Sequence, residues 1–161
     1  MNSFWLENVN NKEQINNNYT VDVCIIGAGL TGLSTAYYLA KEGLKVIVLD
    51  KDGIGEKTSG HTTAKITLQH GLIYDYLINT YGLNFAMKYY ESNKKAISDI
   101  KKIIQLEEIE CDFEEQPNYI YTTKKEEVDK IEREVDAINA IERIYKWYKK
   151  CKFCNMLRFT I

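Results

Sequence analysis

Residues 23 to 50 read VCIIGAGLTGLSTAYYLAKEGLKVIVLD, and they contain the most regular pattern in the chain. A β-branched run predicts a strand over 21–26. Apolar residues spaced three and four apart then predict a helix over 29–42, which Gly43 should end because glycine readily takes the left-handed conformation. A second apolar run predicts a strand over 46–49. A strand, a helix and a strand within about 30 residues predict a right-handed crossover between parallel strands.

Three glycines stand between the first strand and the helix in G-x-G-x-x-G spacing. Gly27 allows the tight turn, Gly29 leaves room for a pyrophosphate, and Gly32 allows the helix to pack closely on the sheet. The phosphates would meet free N–H groups at the positive end of the helix dipole. Asp50, at the end of the second strand, can accept hydrogen bonds from ribose hydroxyls. The alternative, a glycine-rich turn without a ligand, does not account for the agreement of strands, helix and acid.

The glycine motif does not by itself identify which dinucleotide binds. An acid at the ribose position disfavours the 2′-phosphate of NADP, whereas the glycines are compatible with both NAD and FAD. The following segment, KDGIGEKTSGHTTAKIT at 51–67, is rich in Gly, Ser and Thr and is expected to form a loop over 51–63. It resembles the loop after the second strand in the D-amino-acid-oxidase-like family of FAD-dependent oxidoreductases. The resemblance covers roughly residues 3–140, is most specific in TSGHTTAKIT, and implies FAD as the cofactor.

The resemblance also implies a role for each matching residue. Asp50 would bind the adenosine ribose, and Lys51 would lie near the adenine. The other candidates would bind the pyrophosphate or line the path from the diphosphate to the flavin: Gly27, Ala28, Gly29, Thr31, Gly32, Thr58, Ser59, Thr62 and Thr63. The sequence departs from the family at Asp50, where the longer Glu is more frequent, and at Glu56-Lys57, where small residues are usual.

Four further residues have ordinary explanations that compete with functional ones. His61 could attach the flavin covalently, but such a ring more often packs beside the cofactor or in solvent. Lys65 could stabilise a reduced anionic flavin, although such a lysine is usually solvated or ion-paired. Cys151 and Cys154 have metal or redox spacing, but zinc needs four ligands and no second pair is near. We therefore expect no metal, and the sequence identifies no catalytic acid or base.

Composition limits the class of protein. The 161-residue chain is 45% hydrophobic and 27% charged, with a net charge of −2. These values are ordinary for a globular protein and do not favour a nucleic-acid partner or an anionic membrane surface. The N-terminus does not have the pattern of a signal peptide, and no run is long enough for a membrane span. Four cysteines without regular spacing favour a reduced, cytoplasmic protein.

The remaining sequence predicts a less regular architecture. Helices are expected between residues 64 and 106, with breaks near Gly71 and Gly82. A β-hairpin is expected from 111–113 and 119–122. A helix over 124–141 should bury the stripe Val128, Ile131, Val135 and Ile138. The sequence after residue 141 has no apolar period, and we expect it to be unstructured or foreign to the fold.

These expectations divide the chain into an N-terminal arm (1–20), a FAD-binding βαβ unit with its flavin loop (21–66), a helical segment that begins a substrate domain (67–140) and an atypical tail (141–161). The arm should dock Phe4, Trp5 and Leu6 on the body. The expected fold class is α/β: the N-terminal βαβ of a Rossmann-like, parallel-sheet FAD-binding domain, followed by helices and a β-hairpin.

The resemblance implies an enzyme that oxidises the carbon next to nitrogen in an amino acid or amine, a small-molecule substrate, by hydride transfer to FAD. Similar family members often carry a C-terminal Rieske-type domain, which is not expected within these residues. One alternative is a truncated, inactive FAD-binding fragment of such an enzyme. Another is an NAD-binding Rossmann module, which depends on the glycines and Asp50 alone. The sequence does not predict the substrate, the electron acceptor or the oligomeric state.

Overall fold

The computed structural model describes Ser3, Leu6 and residues 14–142, together with the backbone of 146–148 and 155–159. The chain divides into two units, Met1–Lys65 and Ile66–Ile161, each with its own elements. Within the described residues, no helix combines the length and the apolar character that crossing a membrane requires.

The first unit contains the expected crossover. Strands β1 (Val23–Ile26) and β2 (Val46–Leu49) pair in parallel along their whole length. Helix α1 (Leu30–Lys41) joins them. Gly43 follows the helix with φ 84°, a conformation that glycine adopts at no steric cost. The predicted strand–helix–strand unit and its parallel pairing are therefore confirmed, with β1 beginning two residues later than expected.

The loop after β2 contains a short 3-10 turn at Thr58–His61. Two residues of the N-terminal arm contact this turn. The Ser3 hydroxyl donates a hydrogen bond to the carbonyl of Gly60. The Leu6 side chain is so close to Gly60 that a Cβ at that glycine would lie 2.8 Å from Leu6 Cδ2. The aromatic residues expected to dock, Phe4 and Trp5, lie outside the described residues.

The second unit has a helical core formed by α2 (Tyr74–Tyr81), α3 (Leu83–Leu106) and α4 (Val128–Ile141). Gly82, with φ 85°, separates the first two helices, as its sequence position predicts. The helix expected from residue 64 is wrong for 64–73, which contains no helical turn. There Leu68 and Gln69 are buried instead. The buried apolar residues are Leu68, Tyr74, Leu77, Ala86, Tyr90, Ile131, Val135, Ala137 and Ile138.

Helix α4 buries the predicted stripe. Ile131, Val135 and Ile138 are buried, while Val128 at the start of the helix is partly exposed. A 3-10 turn at Lys125–Glu127 precedes the helix, so the regular α-helix begins four residues later than expected.

A three-stranded antiparallel sheet completes the second unit, and it differs from the predicted hairpin. Strands β3 (Asn118–Thr122), β4 (Lys146–Tyr148) and β5 (Asn155–Phe159) lie in the order β3-β5-β4. The strand expected at 111–113 is wrong: the segment is not paired, and Asp112 has φ 48°, which a regular strand does not accommodate. The partner of β3 is β5.

The backbone of 146–148 and 155–159, in the segment expected to be unstructured or foreign to the fold, pairs as β4 and β5. Short strands are specified by cross-strand pairing more than by a long apolar period, so the sequence pattern gave no signal for them. Cys151 and Cys154 lie outside the described residues.

Candidate dinucleotide site

The end of β1 turns sharply into α1 at the three glycines. Gly27 has φ 111°, and its N–H donates to the Leu49 carbonyl at 2.7 Å, which joins the carboxyl ends of the two strands. Gly29 is the N-cap of α1, and its carbonyl accepts the Leu33 N–H at 3.0 Å. The turn therefore places the first turn of α1 directly after the carboxyl end of the sheet.

Gly32 packs against the backbone of this turn. A Cβ at Gly32 would lie 1.9 Å from the Gly27 carbonyl oxygen and 3.4 Å from Ile25 Cγ2. Real Cβ atoms do not approach a backbone oxygen so closely, so any side chain here must displace the turn. The close packing expected of Gly32 is thus present.

The start of α1 offers several unpaired donors. Among the described residues, the N–H groups of Gly29, Thr31 and Gly32 have no protein acceptor, and the first turn carries no acidic side chain. The Leu30 N–H donates to the Ser59 hydroxyl at 2.9 Å. Unsatisfied N–H groups and the positive end of the helix dipole together favour an anion. The arrangement suits a phosphate or pyrophosphate.

Asp50 is held beside the glycine turn by three backbone donors. Its Oδ2 accepts the Ala28 N–H at 2.8 Å, and its Oδ1 accepts the N–H groups of Asp52 and Gly53 at 2.9 and 3.2 Å. An ionised carboxylate has about four acceptor sites, so at least one remains for an external donor such as a ribose hydroxyl.

The same contacts lower the pKa of this carboxyl group. The Ala28 N–H contributes most, followed by those of Asp52 and Gly53, and together they lower the pKa of Asp50 from 3.8 to about 2. The positive charge of Lys57 contributes less. The carboxylate is therefore ionised at every physiological pH and always available as an acceptor.

This shift predicts a pH dependence of stability. Because the folded-state pKa of Asp50 is lower than the unfolded value, its stabilising contribution is present above about pH 4 and is lost as the pH falls toward about 2. We expect Asp50→Asn to reduce the fall in unfolding free energy between pH 4 and pH 2, measured by urea unfolding at a series of pH values. The control is Glu42→Gln, an exposed carboxylate after α1, which should keep the wild-type slope. An unchanged slope in Asp50→Asn would contradict this assignment.

The loop after β2 folds back onto the glycine turn. The Gly55 N–H donates to the Ala28 carbonyl at 2.9 Å, and Ser59 caps α1 as described above. Glu56 and Lys57, which depart from the family pattern, both have contacts within the loop. Lys57 forms an ion pair with Asp52 at 3.0 Å, and the Glu56 side chain lies against Gly53. Their charges therefore do not prevent the loop from returning to the turn.

A cleft of about 700 Å³ opens beside Asp50 in the first unit. Its walls come from the end of β2, from the loop that follows and from two residues that precede β1. The lining residues are Gln14, Ile15, Ala28, Val48, Leu49, Asp50, Lys51, Asp52, Gly53 and Ile54.

The structure brings most of the sequence candidates together. Direct contacts join Ala28 to Asp50 and Leu30 to Ser59 around the glycine turn, and Lys51 lines the cleft. Thr31 lies in the first turn of α1, and Thr58 begins the 3-10 turn that holds Ser59.

The other candidates are exposed and have local contacts. The Thr62 hydroxyl accepts the Ala64 N–H at 3.3 Å, and Thr63 is exposed nearby. The ring of His61 is exposed, with Nδ1 2.9 Å from the Lys57 carbonyl oxygen, and Lys65 is exposed at the end of the unit.

Sequence reasoning missed Asp52, Gly53, Gly55 and the two residues before β1. One signal was present: an Asp followed by Gly three residues later, directly after a strand, is typical of a turn in which the carboxylate accepts N–H bonds from the residues that follow. Gln14 and Ile15 gave no such signal, because their positions in the cleft depend on tertiary structure.

Comparison with known proteins identifies the family. The family profile of DAO, described as FAD dependent oxidoreductase, matches residues 22–151. A putative Rieske 2Fe-2S iron-sulfur protein, YhfW, of Bacillus subtilis (strain 168) is 46% identical over 116 residues, which are 72% of this chain and 23% of that protein. The chain belongs to the DAO family of FAD-dependent oxidoreductases.

Two further relatives are named as oxidoreductases. Gamma-glutamylputrescine oxidoreductase of Escherichia coli (strain K12) is 31% identical over 63% of this chain and 24% of its own length. The probable oxidoreductase OrdL of Haemophilus influenzae is 32% identical over 72% of this chain and 27% of its own length. The chain thus spans about a quarter of the length of these curated relatives. No solved structure matches it significantly.

Proposed function

We propose that this chain binds FAD and supplies the adenosine-diphosphate end of the flavin site in a DAO-family oxidoreductase. The observation that carries the proposal is the hydrogen bond from the Ala28 N–H to Asp50. It holds the Asp50 carboxylate, which would accept the ribose hydroxyls, near the N–H groups at the start of α1. An adenosine nucleotide carries its phosphate on C5′ and its hydroxyls on C2′ and C3′ of the same ribose, so the two groups can then be bound together.

Each part of the dinucleotide has residues suited to it. The pyrophosphate would lie at the N–H groups of Gly29, Thr31 and Gly32, with the Ser59 hydroxyl beside them. The ribose would bind Asp50, and Lys51 would lie near the adenine. Ala28 and the glycine turn with Gly27 hold this arrangement, while Thr58, Thr62 and Thr63 would line the path toward the flavin. FAD, when bound, accepts a hydride, and these residues bind and orient it.

The proposed reaction is oxidation of a carbon next to nitrogen in an amino acid or amine. The substrate carbon would lose a hydride to the flavin while its nitrogen forms the C=N bond. The support is family membership and the name of one relative, gamma-glutamylputrescine oxidoreductase. The cytoplasmic location remains a prediction from the sequence.

The binding proposal is tested by Gly29→Val. A valine places two methyl groups where the pyrophosphate must approach, and its Cβ would lie 3.2 Å from the Ser59 hydroxyl oxygen. We expect flavin binding to be abolished, measured by flavin absorbance of the purified protein and by titration with FAD. The control is Ala40→Val, which adds the same methyl groups at an exposed position near the other end of α1.

The outcomes separate the candidate cofactors. Equal flavin content in wild type and Gly29→Val would refute the site assignment. Titration with NAD in parallel tests the second candidate, since the glycine turn and Asp50 suit both dinucleotides. Tight binding of NAD without binding of FAD would favour a nicotinamide module instead.

A further inference from the structure

The 3-10 turn at Thr58–His61 is held internally by local contacts. The Gly60 N–H donates to the Lys57 carbonyl at 3.1 Å, and His61 Nδ1 lies 2.9 Å from the same oxygen. Short 3-10 segments have poorer hydrogen-bond geometry than an α-helix, and ordering a loop rich in Gly, Ser and Thr costs conformational entropy. The turn therefore needs contacts from elsewhere in the chain to keep one position.

The position of this turn matters for the proposed phosphate site. The Ser59 hydroxyl accepts the Leu30 N–H at 2.9 Å. A hydroxyl that accepts one hydrogen bond can still donate its own proton, here to a phosphate oxygen. Nearby, the Gly55 N–H donates to the Ala28 carbonyl at 2.9 Å. A displacement of the turn would move the Ser59 hydroxyl away from the start of α1.

The N-terminal arm contacts the turn at Gly60. This glycine is buried, and its carbonyl accepts the Ser3 hydroxyl, which is 57 positions away in the sequence. A Cβ at Gly60 would lie 2.8 Å from Leu6 Cδ2 and 3.1 Å from Leu6 Cγ, and it would also meet the Gly55 carbonyl oxygen. Gly60 thus packs against both Leu6 and Gly55, in a space too small for a side chain. The arm and the loop after β2 are closely fitted at this point.

We propose that Ser3 and Leu6 are positioning residues for the phosphate end of the dinucleotide site. They hold the 3-10 turn so that the Ser59 hydroxyl stays at the start of α1. The inference rests on the proposed dinucleotide site, and it adds two residues that act through Gly60 and Ser59 rather than by contact with the ligand. Without the arm contacts the turn samples other positions, and the apparent affinity falls with the fraction of molecules whose turn is in place.

The first test measures binding of inorganic pyrophosphate and ADP to the 161-residue chain by calorimetric titration. We expect Leu6→Ala to bind both ligands about tenfold more weakly, as follows if about a tenth of the molecules keep the turn in place. Ser3→Ala removes one hydrogen bond and should weaken binding of both about threefold. Equal affinities in wild type and Leu6→Ala would refute the inference and leave the dinucleotide site standing. A loss with ADP that is absent with pyrophosphate would also contradict it, because the arm would then act on the nucleoside.

Matched variants separate positioning from a general loss of stability. Ser92→Ala also removes a hydroxyl that donates to a backbone carbonyl, but in α3, and it should leave both affinities unchanged. Leu44→Ala removes a leucine that is 38% exposed near the opposite end of α1 in the same unit, and it should do the same. Leu6→Met keeps most of the apolar volume and Ser3→Thr keeps the hydroxyl, so each should restore most of the affinity.

A second readout needs no ligand. Because Ser59 accepts the Leu30 N–H, this amide should exchange its hydrogen several-fold faster in Leu6→Ala than in wild type, measured by NMR. The Leu33 amide, which donates to the Gly29 carbonyl at 3.0 Å, should exchange at an unchanged rate. An unchanged rate at Leu30 would refute the inference even if the affinities fall.

The two readouts together distinguish this inference from the proposal it rests on. Faster exchange at Leu30 with weaker binding of both ligands supports the positioning role. If the wild type binds neither pyrophosphate nor ADP, the dinucleotide site is refuted and the positioning role with it. Faster exchange at Leu30 in Leu6→Ala would then show that the arm holds the turn for the fold alone.

Discussion

Gly32→Ala is expected to weaken dinucleotide binding and to lower the stability of the first unit by about 1–3 kcal/mol. The added Cβ would lie 1.9 Å from the Gly27 carbonyl oxygen and 3.1 Å from its carbonyl carbon. Both are backbone atoms of the turn, so they cannot rotate away as a side chain can. The helix must move from the sheet, or the turn must open, and either change displaces the N–H groups of Gly29 and Thr31.

The matched control is Ser34→Ala, which changes a small residue two positions further along the same helix. Its removal of one hydroxyl should change the unfolding free energy by less than about 1 kcal/mol. Urea unfolding and titration with FAD measure the two effects separately. A Gly32→Ala protein with wild-type stability would show that the close approach at this glycine does not constrain the turn.

The crossover could be predicted from the sequence because all of its signals are local. The period of the apolar residues, the helix-ending Gly43 and the spacing of the three glycines are each determined by a few neighbouring residues. The same holds for the stripe on α4. The ribose role proposed for Asp50 rests on the same kind of local signal, its place at the end of a strand.

The remaining features depend on contacts that span long stretches of chain. β3 pairs with β5 rather than with a neighbouring segment, and the sequence pattern near β3 contains no information about that partner. The orientation of Asp50 depends on the Ala28 N–H, 22 positions away in the sequence. Ile15 reaches the cleft from outside the motif. In each case local propensity is compatible with several partners, and tertiary packing selects one.

Glu134 is the clearest feature that the apolar pattern could not predict. It lies on the buried face of α4 beside Val135 and Ile138, where a charged residue is unexpected, and it is fully buried. Its Oε1 accepts the Tyr74 N–H at 3.0 Å and the Gln69 side-chain amide, and its Oε2 accepts the Asp75 N–H at 2.8 Å. The carboxylate therefore caps the start of α2, whose own N-cap residue provides no side-chain acceptor.

We expect Glu134→Ala to destabilise the second unit by about 3 kcal/mol or more, because it leaves buried N–H groups without an acceptor and creates a cavity. Glu134→Gln should lower the free energy of unfolding by less than Glu134→Ala does. The remaining amide oxygen can still accept a hydrogen bond, whereas the new NH2 group faces another donor. Glu132→Ala, which removes an exposed carboxylate from the same helix, should change stability by less than about 0.5 kcal/mol. Urea unfolding gives the energies, and hydrogen exchange at the Tyr74 and Asp75 amides reports the cap directly. If exchange at these amides stays as slow in Glu134→Ala as in Glu132→Ala, the carboxylate does not hold the start of α2, and water or another side chain must replace it there.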